Sequence, residues 1–134
     1  MTKKRRILVL LLWLAGITFP VAGFFGLFPG GREWFDAHTH PEALHITAHM
    51  VLFAGLVWML AYALDWRPEA GLLPLIYTIG LGLGVVQEGL QVWSAGYQWF
   101  TGEEYFDLGI DLLGVTLGVL LWFLWHTRPG QRAS

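Results

Sequence analysis

The chain of 134 residues is 55% hydrophobic and only 13% charged, with a mean hydropathy of +0.53 and a formal net charge of −2. This composition excludes an ordinary soluble domain and indicates an integral membrane protein. Basic residues cluster only at the N-terminus, so we expect no nucleic-acid partner. The absence of cysteine excludes disulfides, thiolate metal ligands and cysteine nucleophiles.

Long apolar runs predict a single all-α domain over residues 1–134. A hydrocarbon core of about 30 Å needs about 20 apolar residues, which gives four spans, at about 7–28, 43–64, 72–93 and 106–125. The first run is longer than the hydrophobic region of a signal peptide, so we interpret it as a retained span. Pro20 should kink this helix or mark where it loosens, before Pro29-Gly30-Gly31 ends it. Polar loops are expected at 30–40 and 94–105.

The distribution of basic residues predicts the orientation of this up-down bundle of four helices. Seven of the eight Lys and Arg residues fall on the side of the two termini and the 65–70 turn, and Arg32 alone falls on the other side. Because basic residues favour the cytoplasmic side of a membrane, both termini should be cytoplasmic.

Each of the last three spans carries one pair of polar residues near its outer end. At a rise of 1.5 Å per residue the three pairs lie at one depth, and spacings of three or four residues place each pair on one helix face. Acidic residues cost about 2.5–3.5 kcal/mol near the middle of a membrane helix, so they require partners. The sequence therefore predicts one outward-facing polar pocket, formed by His45, His49, Glu88, Gln91, Asp107 and Asp111.

Two small-xxx-small patterns predict that the third and fourth spans pack closely on each other. They are Gly80 with Gly84, and Gly114 with Gly118. This packing would bring Glu88 near Asp107 or Asp111. Two ionised carboxylates would repel each other, so we expect a shared proton, a bound cation or a protonated histidine between them.

The four-residue spacing of His45 and His49 suits a pair of metal or tetrapyrrole ligands. Glu88 and Asp111 at the same depth could complete a Zn²⁺ or Mn²⁺ site. We favour the simpler interpretation, in which the histidines donate hydrogen bonds to carboxylates across the bundle. The cofactor, if one binds, is not identified by these residues.

A second histidine motif, Asp36-Ala-His38-Thr-His40, is similar to the metal-binding start of a barrel amidohydrolase. Such a barrel needs about 250 residues, which this chain does not have. His38 and His40 could still extend a site at the outer mouth of the bundle.

Three segments together resemble the VanZ-like family of small bacterial membrane proteins: His49 to Phe53, Glu88-Gly-Leu-Gln91, and Phe106 to Asp111 followed by Gly118. The resemblance covers about residues 41–121. It implies a multi-pass protein of the bacterial cytoplasmic (inner) membrane, related to the cell envelope. The family's prototype is linked to resistance to a glycopeptide antibiotic.

The chain departs from the family pattern at three places. His45 stands where an acidic residue is usual, Val115 where an asparagine is usual, and Glu103-Glu104-Tyr105 where an arginine is expected. A family activity that depends on those groups would be absent here.

Three functions follow, in decreasing order of preference. The first is an envelope protein whose pocket recognises a lipid head group or a peptidoglycan-related ligand. The second is an accessory subunit of a respiratory or photosynthetic membrane complex, in which His45 or His49 ligates haem or chlorophyll. The third is a metal-assisted hydrolase or transferase that uses His49, Glu88 and Asp111. We therefore expect the lipid bilayer, and membrane proteins in the second case, as partners, and binding rather than catalysis.

Overall fold

In the computed structural model, residues 2–39, 42–67, 71–94, 96 and 101–127 are described, apart from the side chains of Ala22, Asp36 and Thr39. Every regular element in this part of the chain is a helix: α1 (Lys3–Thr18), α2 (Val21–Phe25), α3 (Gly31–Thr39), α4 (Glu42–Ala63), α5 (Leu73–Ser94) and α6 (Gly102–His126). Three of them, α4, α5 and α6, are long and apolar enough to cross a membrane.

The first predicted span, 7–28, is not one continuous helix. α1 has 16 residues and ends at Thr18, and α2 begins only after Pro20. Phe19 is extended, with φ −73° and ψ 119°, because the ring of a following proline disfavours helical backbone. α1 is thus shorter than the roughly 20 residues that a span needs, and a crossing by the first segment stays a prediction.

The prediction of a loop at 30–40 is wrong for the residues described there, since α3 occupies Gly31–Thr39. Its aromatic residues pack against α2: the ring of Phe25 lies 5.6 Å from that of Trp34 and 5.2 Å from that of Phe35. Glu33 in the first turn also favours the helix, because a negative charge complements the N-terminal end of its dipole.

The predicted loop at 94–105 is also too long, because α6 begins four residues before the predicted span at 106. The hydroxyl of Thr101 accepts the backbone N–H of Glu103, while the Glu104 carboxylate accepts the backbone N–H of Thr101. This reciprocal capping satisfies N–H groups that a helix start otherwise leaves unpaired. Residues 95 and 97–100 of the same prediction lie outside the described residues.

Helix α6 packs on both α4 and α5. As predicted, α5 and α6 pack on each other: a Cβ atom on Gly80 would lie 2.6 Å from Val115 Cγ2, and the hydroxyls of Tyr77 and Thr116 lie 3.0 Å apart. α6 therefore has one partner helix on each side.

The assignment of Gly114 and Gly118 to the contact with α5 is wrong, because both face α4. A Cβ atom on Gly114 would lie 2.8 Å from the carbonyl oxygen of Met50, and one on Gly118 would lie 2.7 Å from that of Ala54. The glycines therefore allow the backbones of α4 and α6 to approach closely.

Helix α1 lies against α4 along its length. Trp13 Nε1 donates to the carbonyl oxygen of Leu52 at 3.0 Å. At the far end from the polar residues, the Arg6 guanidinium pairs with Asp65 and lies 4.3 Å from the ring centroid of Tyr62. These contacts fix where α1 ends, which is beside the polar ends of α4 and α5.

Replacing Gly118 with alanine should destabilise the fold, because the new methyl group would meet the backbone of α4. Overpacking of this kind costs about 1–3 kcal/mol. Reversible denaturation in mixed micelles, followed by circular dichroism, would measure the loss. Gly109→Ala on the same helix is the matched control, since its Cβ would have no neighbour within 4 Å and alanine favours a helix by up to about 1 kcal/mol over glycine. Equal stabilities for the two variants would contradict the assigned interface.

Candidate functional site

The most buried polar contact in the described structure joins α4 to α6. His49 Nδ1 lies 2.8 Å from Asp111 Oδ1, and their side chains are 5% and 1% exposed. The imidazole N–H donates to the carboxylate, which has no hydrogen to offer when ionised. We call this contact the inner pair.

A second contact of the same type lies nearer the helix ends. His45 Nε2 is 3.0 Å from Asp107 Oδ2, with side chains 44% and 14% exposed, and we call it the outer pair. Both pairs join residues that are 62 positions apart. Because each helix carries its two residues four positions apart, the two pairs lie about one helical turn apart along the interface of α4 and α6. The two imidazole rings lie 4.5 Å apart.

Helix α5 adds a third carboxylate beside the inner pair. Glu88 is 1% exposed, and Gln91 Nε2 lies 3.5 Å from Glu88 Oε1. One ligand atom each from His49, Glu88 and Asp111 all lie within 4.8 Å of one another. The structure thus brings all six predicted pocket residues to one end of the bundle, around the inner and outer pairs.

Two buried oxygens of this region have no hydrogen-bond partner among the described residues: Asp111 Oδ2 and Gln87 Oε1. The space beside Asp111 Oδ2 exists because residue 84 is glycine, since a Cβ atom there would lie 2.8 Å from that oxygen. Gly84 therefore makes room for the carboxylate as well as for the approach of α6. Unpaired buried oxygens are costly unless a ligand, ion or water meets them.

A cavity of about 220 Å³ opens beside the histidines. Its polar wall comes from α4 and α5, and its apolar wall comes largely from the end of α1 and the break that follows. It is lined by Gly16, Ile17, Phe19, Pro20, Val21, Phe35, Leu44, His45, Ala48, His49, Leu52, Gln87, Gln91 and Ser94. The three carboxylates are not among these residues and lie behind the histidines.

The sequence reasoning missed two polar residues of the cavity, Gln87 and Ser94, and the entire wall from α1. Gln87 is 7% exposed and precedes Glu88 within an apolar run, so the depth argument that selected Glu88 would also have found it. Ser94, whose hydroxyl donates to the carbonyl oxygen of Gln91 at 2.9 Å, ends the same helix. The wall from α1 had no comparable signal, because it consists of ordinary apolar residues.

His38 is not among the residues that line the cavity. Its ring stacks on Trp34 at 4.4 Å and its Nδ1 lies 2.7 Å from the carbonyl oxygen of Trp34, so these contacts lie within α3. The remaining parts of that motif, His40 and the side chain of Asp36, lie outside the described residues.

The arrangement can do two kinds of chemistry. Pairs of histidine and carboxylate can hold and pass protons. The same groups can also bind a divalent cation, either through His45, His49 and Asp107 or through His49, Glu88 and Asp111.

Comparisons with protein-family models, with curated proteins and with solved structures find no match to this chain. The functional argument therefore depends on the residues and their geometry.

Removing the imidazole of the inner pair should cost far more stability than removing that of the outer pair. His49→Ala leaves Asp111 buried without its histidine, which should lower the free energy of unfolding by about 3–5 kcal/mol. His45→Ala should lower it by about 0–1 kcal/mol, since exposed ion pairs contribute little. The same micelle denaturation assay measures both.

The double variant His49→Leu/Asp111→Leu is the control for this comparison. It removes both partners and should be less destabilised than His49→Ala, because no unpaired buried charge is left. Equal losses in His49→Ala and His45→Ala would contradict the assignment of inner and outer pairs.

Proposed function

We propose that this chain is a VanZ-like protein of the bacterial cytoplasmic membrane, with four spans and cytoplasmic termini, whose outward-facing pocket binds the polar head group of an envelope lipid. The observation that carries the proposal is the cavity with one apolar and one polar wall at the shared end of α1, α4 and α5. An amphiphilic ligand has the same division between its hydrocarbon and its head group.

The charge of the polar side favours a cationic or hydrogen-donating head group. Three carboxylates, those of Glu88, Asp107 and Asp111, lie around two histidines. With the carboxylates ionised, the net charge is −1 even if both histidines are protonated. No lysine or arginine is among the described residues that line the cavity. An amine such as that of phosphatidylethanolamine therefore suits the site better than an anionic head group.

The volume of the cavity favours a head group over a macrocycle. Pockets for drug-sized ligands measure roughly 300–1,000 Å³, whereas this one is about 220 Å³. The alternative, an accessory subunit with haem or chlorophyll on His45 or His49, would need the bundle to open further. It ranks second for that reason.

The pairing of the histidines bears on one departure from the family pattern. The VanZ-like pattern implies an arginine near the aspartates, and this chain has none there. His45 and His49 instead contact Asp107 and Asp111 directly. Each aspartate thus has a histidine as its partner where the pattern has an arginine, so we expect a ligand preference different from that of the pattern.

Filling the cavity should weaken head-group binding while leaving the inner and outer pairs unchanged in sequence. Ala48 lines the cavity on α4, so Ala48→Phe should reduce binding of added phosphatidylethanolamine at least about tenfold, as measured by native mass spectrometry of the detergent-purified chain. Wild type should prefer this lipid to phosphatidylglycerol. Val51→Phe is the matched control, because Val51 is 59% exposed on the same helix and the variant places the same phenylalanine side chain outside the cavity. Equal lipid occupancy in the two variants would refute the proposal.

The four-span topology predicts where single cysteines react. The natural chain has no cysteine, so Thr2→Cys and Thr127→Cys report the two termini and Glu103→Cys reports the start of α6. A membrane-impermeant maleimide should label only Glu103→Cys in intact spheroplasts, and all three after lysis. Labelling of Thr2→Cys but not Thr127→Cys before lysis would show three spans and overturn the orientation of the N-terminus.

A further inference from the structure

We propose that His49, Glu88 and Asp111 form a binding site for one divalent transition-metal ion, Zn²⁺ or Mn²⁺, between α4, α5 and α6. The proposal does not depend on the binding of a lipid head group. A bound dication would offset the negative charge from which the head-group preference is argued, so that preference applies to the protein without the ion. It concerns groups that lie behind the cavity wall, of which only His49 also lines the cavity.

The donor set is suited to such an ion. Each of the three helices supplies one ligand, and the relative exposures of His49, Glu88 and Asp111 are 4%, 1% and 1%. Imidazole nitrogen and carboxylate oxygen are the usual non-thiolate ligands of Zn²⁺ and also suit Mn²⁺. Their ligand atoms already lie within 4.8 Å of one another. Bonds of about 2.0–2.2 Å to a common ion require only small side-chain movements from this arrangement.

The unpaired oxygen of Asp111 is an independent indication of a ligand. Asp111 Oδ2 is buried and has no hydrogen-bond partner among the described residues, while Oδ1 accepts the Nδ1–H of His49. An ion shared with Asp111 requires His49 Nδ1 as the ligand, because Nε2 lies on the opposite side of the ring. Ion binding would replace the hydrogen bond between His49 and Asp111, with the imidazole proton carried on Nε2. Gly84 leaves the space beside Oδ2 open. Asp111 therefore offers a buried acceptor, with space beside it, that no described residue meets.

A dication would also compensate the charge of the buried Glu88 carboxylate. Buried charges in proteins are paired or coordinate metals, yet the hydrogen bond found for this carboxylate is the long one from Gln91, at 3.5 Å. One divalent ion balances the charges of Glu88 and Asp111 together. Three protein ligands would leave a further coordination position for water or a ligand oxygen, as in metal sites that are not purely structural.

The inner group is preferred to the alternative of His45, His49 and Asp107. His45 is 44% exposed at the side chain, and its Nε2 already contacts Asp107 Oδ2. These two atoms therefore already have each other as partners, whereas the inner group contains Asp111 Oδ2, which has no partner among the described residues.

The test measures metal binding by the full chain in mild detergent. After treatment with a chelator, the protein is equilibrated with Zn²⁺ or Mn²⁺ and desalted, and bound metal is counted by elemental analysis. We expect one ion per chain. Glu88→Gln and Asp111→Asn should each weaken binding at least about 100-fold, since loss of even an outer-shell partner costs 10–100-fold. Glu103→Gln, the same change at an exposed acid, should bind as wild type does.

A second measurement keeps the proposal falsifiable if the variants misfold, as judged by circular dichroism. X-ray absorption of the Zn²⁺-loaded wild type should show one histidine nitrogen, with oxygen atoms completing the ligand shell. Two histidine nitrogens would place the ion at the outer group and overturn the proposal. So would a wild type that retains no ion, or a folded Glu88→Gln that binds as tightly as wild type. In either of the last two cases the carboxylates must instead be neutralised by protons.

Discussion

The hydrogen bond between His49 and Asp111 is the interaction on which the rest of this structure depends. A carboxylate buried in an apolar bundle is tolerated only with a partner, and a bond of 2.8 Å across two helices requires their backbones to lie close together. Gly114 and Gly118 provide that approach, because any side chain there would collide with the backbone of α4. The polar contact and the glycine contact therefore stabilise the same interface, one near the start of both helices and one along its middle.

The alignment of α4 with α6 explains why the two histidines and two aspartates act as one unit. Both helices carry their polar residues four positions apart, so one register satisfies both pairs at once. A shift of one helix turn would leave one histidine and one aspartate unpaired. The polar pairs thus specify the register of helices whose remaining contacts are apolar and would tolerate several alternatives.

The polar cluster was predictable from sequence, whereas the partners of the helices were not. Depth and helical periodicity are local properties, so hydropathy and spacing placed His49, Glu88 and Asp111 at one level. The three long apolar helices were likewise predictable from the length and composition of their apolar runs. A small-xxx-small pattern says only that some backbone comes close. It could not tell that Gly114 faces α4 rather than α5. α3 was missed because its stability depends on stacking against Phe25, a contact with another helix.

The break between α1 and α2 at Pro20 lies beside the candidate site. Interrupting a helix leaves backbone polar groups without their helical partners. Here Phe19, Pro20 and Val21 all line the cavity beside His45 and His49. If the helix continued through residue 20, this part of the cavity wall would have regular helical backbone instead of a break. The proline that ends α1 therefore also affects the shape of the cavity beside the histidines. This apolar segment contributes to the site through its backbone geometry and has no polar side chain there.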